Sequence, residues 1–393
     1  MFETKHSVSD CRCFISGAVA SALWALVARS PLLAEDSVSY KYENYSETGN
    51  RMTVRAQSML AQQDLGTDTH FQVNGVIDAI AGASPNGLPA PAGSAQVPLT
   101  ELHDRRKAWE GDLSHQFDGV NISAGFAESR EHDYISRGWS LNTLWDFNQK
   151  NTTLLVGVAG HSDDVEVFYD VHHPYVAKQS DEGIAGITQL LDPLTTVTVN
   201  LSWGRETGYL ADQYKLVEKS VAIAPGILLP MSFAESRPGM RDHGLLFASI
   251  DRSFPGLKGS LEVSYRYHAD TYGIGSHTIE ATWFQHVGSS VVVEPNLRFY
   301  VQDAARFYHY DLDTTTLVPT FIPNPSAPAY SSDYRLSSML TDTAGLKVVW
   351  TATGWLQLDV AYSRYDMRGR DGTTPQSAYP KANILTGGAK VSW

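Results

Sequence analysis

Long hydrophobic runs are what this chain lacks: apart from one near its start, no segment approaches the roughly 20 consecutive apolar residues of a membrane-spanning helix. Cysteine is nearly missing as well. Its two copies, Cys11 and Cys13, both precede the early apolar run, so the remainder has no disulfide, no thiolate-bound metal and no covalently attached haem. Basic charge is in short supply, with 30 Lys and Arg against 43 Asp and Glu for a net charge of −13, which argues against nucleic acid as a partner. With 42% hydrophobic and 19% charged residues, the chain is still too apolar to be disordered.

The early run from Phe14 to Ala28 follows Lys5 and Arg12 and leads into Pro31-Leu-Leu-Ala34, the layout of a secretory signal peptide. We expect residues 1–34 to be that signal, with cleavage after Ala34 and Ala28 as the competing site. An uncleaved anchor helix is disfavoured by the shortness of the run. Removal takes away a net +1 and leaves residues 35–393 at −14.

What the chain has instead is alternation. In Leu261 to Asp270, Leu261, Val263, Tyr265, Tyr267 and Ala269 point one way while Glu262, Ser264, Arg266, His268 and Asp270 point the other. The pattern resumes after Tyr272-Gly-Ile-Gly-Ser276 with Ile279, Ala281 and Trp283, and after Gly288-Ser-Ser290 with Val291, Val293, Leu297, Phe299 and Val301. Strands of a soluble sandwich run about five or six residues. These run to the length of about ten that a tilted transmembrane strand needs.

The same reading from residue 36 onward gives sixteen candidate strands, with fourteen or eighteen as alternatives where weak strands split or merge. Tight turns such as Asp118-Gly-Val and Asp192-Pro-Leu fall on one side. Long loops at 82–106, 163–178, 208–240, 308–332 and 370–381 fall on the other, with short exceptions at Thr48 and Gly273. That is the topology of an all-β, antiparallel up-and-down transmembrane β-barrel of the bacterial outer membrane, here a single barrel over residues 35–393. Tyr40, Tyr42, Trp139, Trp203, Trp283, Trp350 and Trp355 lie near strand ends, where aromatic girdles belong. The last segment alternates to a terminal Trp393 and resembles the signal by which such barrels are recognised for insertion. The expected partners are accordingly outer-membrane lipid, lipopolysaccharide and the barrel-assembly machinery.

Several separated stretches, in order, carry a family resemblance: Asp78-Ala-Ile-Ala-Gly-Ala-Ser-Pro85, Ser129-Arg-Glu-His-Asp-Tyr134, Ser264-Tyr-Arg-Tyr-His-Ala-Asp270 with Ser276-His-Thr-Ile279, and Glu294-Pro-Asn-Leu-Arg-Phe-Tyr300. Together they resemble a bacterial family known as domain of unknown function 3570, across essentially the whole mature chain. The resemblance implies an outer-membrane barrel and supplies no catalytic or ligand residues. It also implies gene neighbours that encode a small lipoprotein and a flavin-attaching enzyme, hence a surface redox system.

If the greasy faces meet lipid, the opposite faces line a lumen wide enough for water. Hairpin parity allows Arg266, Glu280 and Arg298 to share one rung, with Glu262, Glu294 and His268 nearby. Such a set is either a structural brace or a charge-selective eyelet. The stretch Asp163 to Pro174 gathers Asp163, Asp164, Glu166, Asp170, His172 and His173, a set able to hold a divalent cation, though a solvated acidic loop is the commoner use of such residues. No other cofactor is indicated. His132, Asp133, Ser136 and His268 supply the residue types of a surface hydrolase, but their spacing singles out no nucleophile with its base. Three functions follow: a porin-like channel for small solutes, a sheath for a periplasmic or lipoprotein partner in a redox or metal-handling system, or a rim enzyme.

Overall fold

The computed structural model describes residues 36–393 apart from 50, 170, 171, 173 and 325. The expected signal peptide lies outside the described residues. The alternating segments form β1 (Ser37–Glu47), β2 (Met52–Asp64), β3 (Thr69–Pro85), β4 (Leu99–Phe117), β5 (Val120–Arg130), β6 (Tyr134–Phe147), β7 (Thr152–Glu166), β8 (Tyr175–Asp192) and β9 (Thr195–Gly208). A separate hairpin follows, made of β10 (Leu216–Ala224) and β11 (Ile227–Ala234). The chain then continues as β12 (Met240–Phe254), β13 (Gly259–Asp270), β14 (Gly275–Val287), β15 (Val291–Gln302), β16 (Met339–Thr351), β17 (Leu356–Gly369) and β18 (Lys381–Ser392).

Sixteen of these strands close into one antiparallel barrel, each beside its chain neighbour, with β9 passing directly to β12 and β18 returning to β1. Closure runs the full height of the first strand, from Ser37 opposite Ser392 to Glu47 opposite Ala382. The Trp393 N–H adds a last bond to the Asp36 carbonyl. A ring has no edge, so every strand satisfies its neighbour's backbone, which is the condition for crossing lipid with strands.

The two faces sort as their period requires. Ile77, Phe126, Leu141, Val156, Ile187, Leu201, Ile279, Leu297, Phe299, Leu346, Val360 and Leu385 are all large, apolar and exposed on the outside. Trp145, Phe117, Phe147, Trp350 and Trp355 mark the short-turn end of that band, and Trp203 lies towards the other. A contiguous apolar belt bounded by aromatic residues is the surface that a bilayer solvates. The turns are tight enough at β6–β7 that Asn148, Gln149 and Lys150 all take left-handed backbone, with φ of 51°, 58° and 66°.

The loop at 82–106 is shorter than the sequence suggests, because β3 runs on through Gly82 to Pro85 and β4 begins at Leu99. Gly82 has φ +137° and an added Cβ would lie 2.0 Å from the Arg51 carbonyl, so the strand bends there without leaving the ladder. In β4 the outward residues Glu101, His103, Arg105 and Lys107 are exposed. This part of the hairpin stands above the lipid, where polarity on both faces hides the alternation. The same holds where β7 extends to Glu166 and β8 starts at Tyr175.

Leu297 sits midway along β15, paired with Ala281 and Ala344 on the lipid face. Leu297→Arg is therefore expected to destabilise the folded barrel by about 2–4 kcal/mol. Thr282→Arg, on the lumenal face beside Glu262, should change stability far less. Urea titration of folding into liposomes measures both, and equal losses would mean the faces are assigned the wrong way round.

Candidate functional site

Inside the barrel, register fixes which polar groups meet. Arg106 Nε lies 2.6 Å from Asp78 Oδ2 with both side chains buried, and Lys347 Nζ lies 3.1 Å from Glu294 Oε2. Glu280 stands directly opposite Arg298 across β14–β15, and opposite Ser264 across β13–β14. Arg266 is thus not on that rung. It pairs with Thr278 and with Phe247, and its guanidinium lies 5.9 Å from the Phe247 ring centre. The expected Arg–Glu–Arg rung is corrected to one Glu280–Arg298 pair with Arg266 one step nearer the long-loop mouth. The short connection between Asp270 and Gly275 sets that offset. Glu262 sits between Asp251 and Thr282, and His268 stacks on His243 with ring centres 5.8 Å apart.

The long-loop mouth is where the chain departs most from an open tube. The segment at 209–239 leaves β9 and crosses to the far wall. There the Leu216 N–H donates to the Asn86 carbonyl and Lys215 Nζ donates to the Pro85 carbonyl. Tyr214 packs on Tyr45, Met52, Val54, Ile80, Leu102 and Ala382, inward residues from strands on the opposite side. The segment at 303–338 folds in beside it, its Tyr334 set against Val97, Met339, Met367 and Tyr379. Gln302 Nε2 donates to the carbonyls of Arg335 and Ser337, both at 2.8 Å. Together the two segments form a cap that touches the wall around the mouth.

A buried ion network ties the two segments together. Arg335 Nη2 lies 2.6 Å from Asp212 Oδ2, and its Nε is 2.8 Å from Asp333 Oδ1. Arg237 reaches Asp333 and Glu235, each at 2.7 Å, and the Ser331 hydroxyl donates to Glu235. Burial pushes the Asp333 and Asp212 carboxyls upward, but the Arg335 guanidinium beside each, helped by Arg237, more than offsets it and holds both well below the usual carboxylate range. Glu235 goes the other way. Burial raises it, and Asp333 and Asp212 add to the rise against Arg237.

Sequence reading did not find this network, although both loops carry an acid two residues before an arginine, Glu235-Ser-Arg237 and Asp333-Tyr-Arg335. The acidic stretch it did single out is divided by strand parity. Asp163 and Asp164 lie on β7 rather than in a loop: Asp163 is buried and accepts from the Tyr134 hydroxyl, while Asp164 lies on the other face, 3.4 Å from Arg137. Glu166 ends the same strand, His172 is exposed, and Asp170 and His173 lie outside the described residues. The hydrolase types are also apart, since Ser136 on β6 and His268 on β13 are separated by β7, β8, β9 and β12.

A closed sixteen-strand barrel with a lipid-compatible exterior and a charged interior is an outer-membrane β-barrel. The model of the family described as "Protein of unknown function (DUF3570)" matches residues 6–383, and the chain belongs to that family. No curated protein matches it. Among solved structures it is similar to the siderophore receptor PirA from Pseudomonas aeruginosa, at 11% identity and TM-score 0.42, over 92% of this chain and 62% of that one. The chain therefore spans less than two thirds of that receptor's length. It is also similar to a bacterial polysaccharide outer membrane secretin, at 9% identity and TM-score 0.47, over 91% of this chain and 98% of that one. A third is the CymD monoaromatic hydrocarbon channel, at 10% identity and TM-score 0.42, covering 92% and 89%.

Arg335→Met keeps most of the side-chain volume but leaves Asp212 and Asp333 buried without their shared cation, at an expected cost of about 3–5 kcal/mol borne by the cap. Limited proteolysis should then cut within 209–239 or 303–338 while the barrel stays folded. Because the two Asp carboxyls have depressed folded values, their contribution is complete above the unfolded value of about 4 and is lost as pH falls through the lower folded values. Glu235 opposes this: its contribution is full below about pH 4 and is lost as pH rises through its raised value. The wild-type cap should therefore resist protease down to about pH 4 and loosen only in stronger acid, and Glu235→Gln should not loosen it at neutral pH.

Proposed function

We propose that the protein is an outer-membrane transport channel for small hydrophilic solutes, held shut at its outer mouth by a cap built from its own strand connections. The observation that carries the reading is the ion-paired crossing of residues 209–239 and 303–338 over a lumen whose wall bears Glu43, Glu110, Asp112, Glu182, Asp251 and Glu262 as well as bases. An interior of this charge content serves water and hydrophilic solutes, and a brace alone has no use for a separate closing layer. Among the described residues the connections at the periplasmic end are short turns, which also suits a second reading: a sheath entered from below by a periplasmic or lipoprotein partner. The enzyme reading has no such support.

Planar-bilayer recording separates the two. For the channel, the wild type should conduct rarely and Arg335→Met should give long-lived openings of porin size. A sheath would remain non-conducting in both, or conduct steadily without regard to the cap.

Selectivity follows from the lumenal bases. In the Arg335→Met background, adding Arg266→Ala and Arg298→Ala should raise cation over anion permeability, because Glu280 then has Ser264 on one side and a plain methyl group on the other, with no guanidinium opposite it. Reversal potentials in a salt gradient measure the change. An unchanged ratio in a conducting pore would place these residues away from the constriction and make them a brace.

A further inference from the structure

On the rim of the mouth, away from the cap's ion network, Asp104, Glu131 and Asp133 bring one carboxylate oxygen each to within 4.8 Å of one another. Asp104 is an inward residue near the top of β4, and the other two belong to the β5–β6 connection. Asp133 is 1% exposed. Its Oδ2 accepts from the Tyr214 hydroxyl at 2.8 Å and from Gln213 Nε2 at 3.0 Å, but its buried Oδ1 receives no hydrogen bond, and neither does Asp104 Oδ2. Three nearby arginines among the described residues have other partners. Arg106 is held by Asp78, and Arg130 and Arg137 turn to Glu128. Three carboxylates this close repel strongly once water is thinned, and a buried oxygen with no donor leaves its desolvation unanswered.

We propose that Asp104, Glu131 and Asp133 bind a calcium ion. Oxygens bound to one calcium at about 2.3–2.6 Å lie up to about 5 Å apart, so the observed spacing needs little adjustment. Calcium is chosen over magnesium because it accepts an irregular set of oxygens such as one drawn from a strand and a three-residue connection, whereas magnesium demands near-ideal octahedral geometry. The ion also has a mechanical consequence. Asp133 is the wall's anchor for Gln213 and Tyr214, residues of the crossing segment, so calcium stiffens the attachment of the cap to β4, β5 and β6.

The test uses the full barrel refolded free of lipopolysaccharide and stripped with EDTA. Titration calorimetry with CaCl2 should show one ion per barrel. Asp104→Asn with Asp133→Asn should weaken binding by at least about tenfold, and MgCl2 should bind the wild type at least about tenfold more weakly. In EDTA the double variant should melt at or above the wild-type temperature, because the repulsion is gone, whereas CaCl2 should raise the melting temperature of the wild type alone. No calcium-dependent heat or shift in the wild type would overturn the site, as would an equal response in the double variant. Equal binding of magnesium would overturn the assignment to calcium. If the double variant fails to fold, the wild-type stoichiometry and the calcium-to-magnesium ratio still decide.

Discussion

The rest of the structure depends on the ladder between β1 and β18. Backbone N–H and C=O groups have no partner in hydrocarbon, so a sheet enters a membrane only when its first and last strands find each other. Here they meet in register over eleven residue pairs, from Ser37 with Ser392 to Glu47 with Ala382. Closure by antiparallel neighbours requires an even number of strands, which puts both ends of the barrel on the short-turn side. Among the described residues, the larger excursions between strands lie at the opposite mouth. The cap is thus a consequence of topology as much as of its own sequence.

Closure also turns half of every strand inward, and the inward half must be polar enough to be wetted yet small enough to fit. Glycine meets the second demand where large polar side chains lie across the ladder. At Gly186 an added Cβ would lie 2.0 Å from Asn200 Oδ1, and at Gly345 one would lie 2.1 Å from Asn296 Oδ1. The inward carboxylates then face cations along the rungs: Glu280 stands opposite Arg298 in register, and Glu294 pairs with the Lys347 ammonium.

Most of the barrel was legible in the sequence because lipid enforces a strict period of two over long strands, and Leu261 to Asp270 shows that period without interruption. Legibility ended where lipid ends. Above the belt, Glu101, His103, Arg105 and Lys107 on β4 are free to be polar on the outer face, and the strand reads as loop. Facing was readable and register was not: parity put Arg266, Glu280 and Arg298 on one face, but only the β13–β14 connection decides that Glu280 meets Ser264. The cap network was hidden for a different reason. Asp212 and Arg335 are 123 residues apart and meet across the mouth, a contact that no local pattern encodes. The Asp104, Glu131 and Asp133 group was obscured likewise, since one member comes from a strand and two from the connection that follows its neighbour.

The way the cap is fastened constrains how it can open. Residues 209–239 are tied at both ends to strands that are themselves adjacent, β9 and β12, and residues 303–338 to β15 and β16, so neither segment can leave the mouth as a separate plug domain would. Opening has to be a local rearrangement in which Arg335 parts from Asp212 or the Tyr214 contacts on the far wall release. Ion pairs suit such a joint. Once the groups are wet, separating them costs far less than leaving one buried without its partner, so the network resists partial opening while tolerating a complete one. The apolar contacts of Tyr214 and Tyr334 with the wall work the other way, since parting them exposes greasy surface to a polar lumen, so they favour the closed state while the ion pairs set where the joint gives.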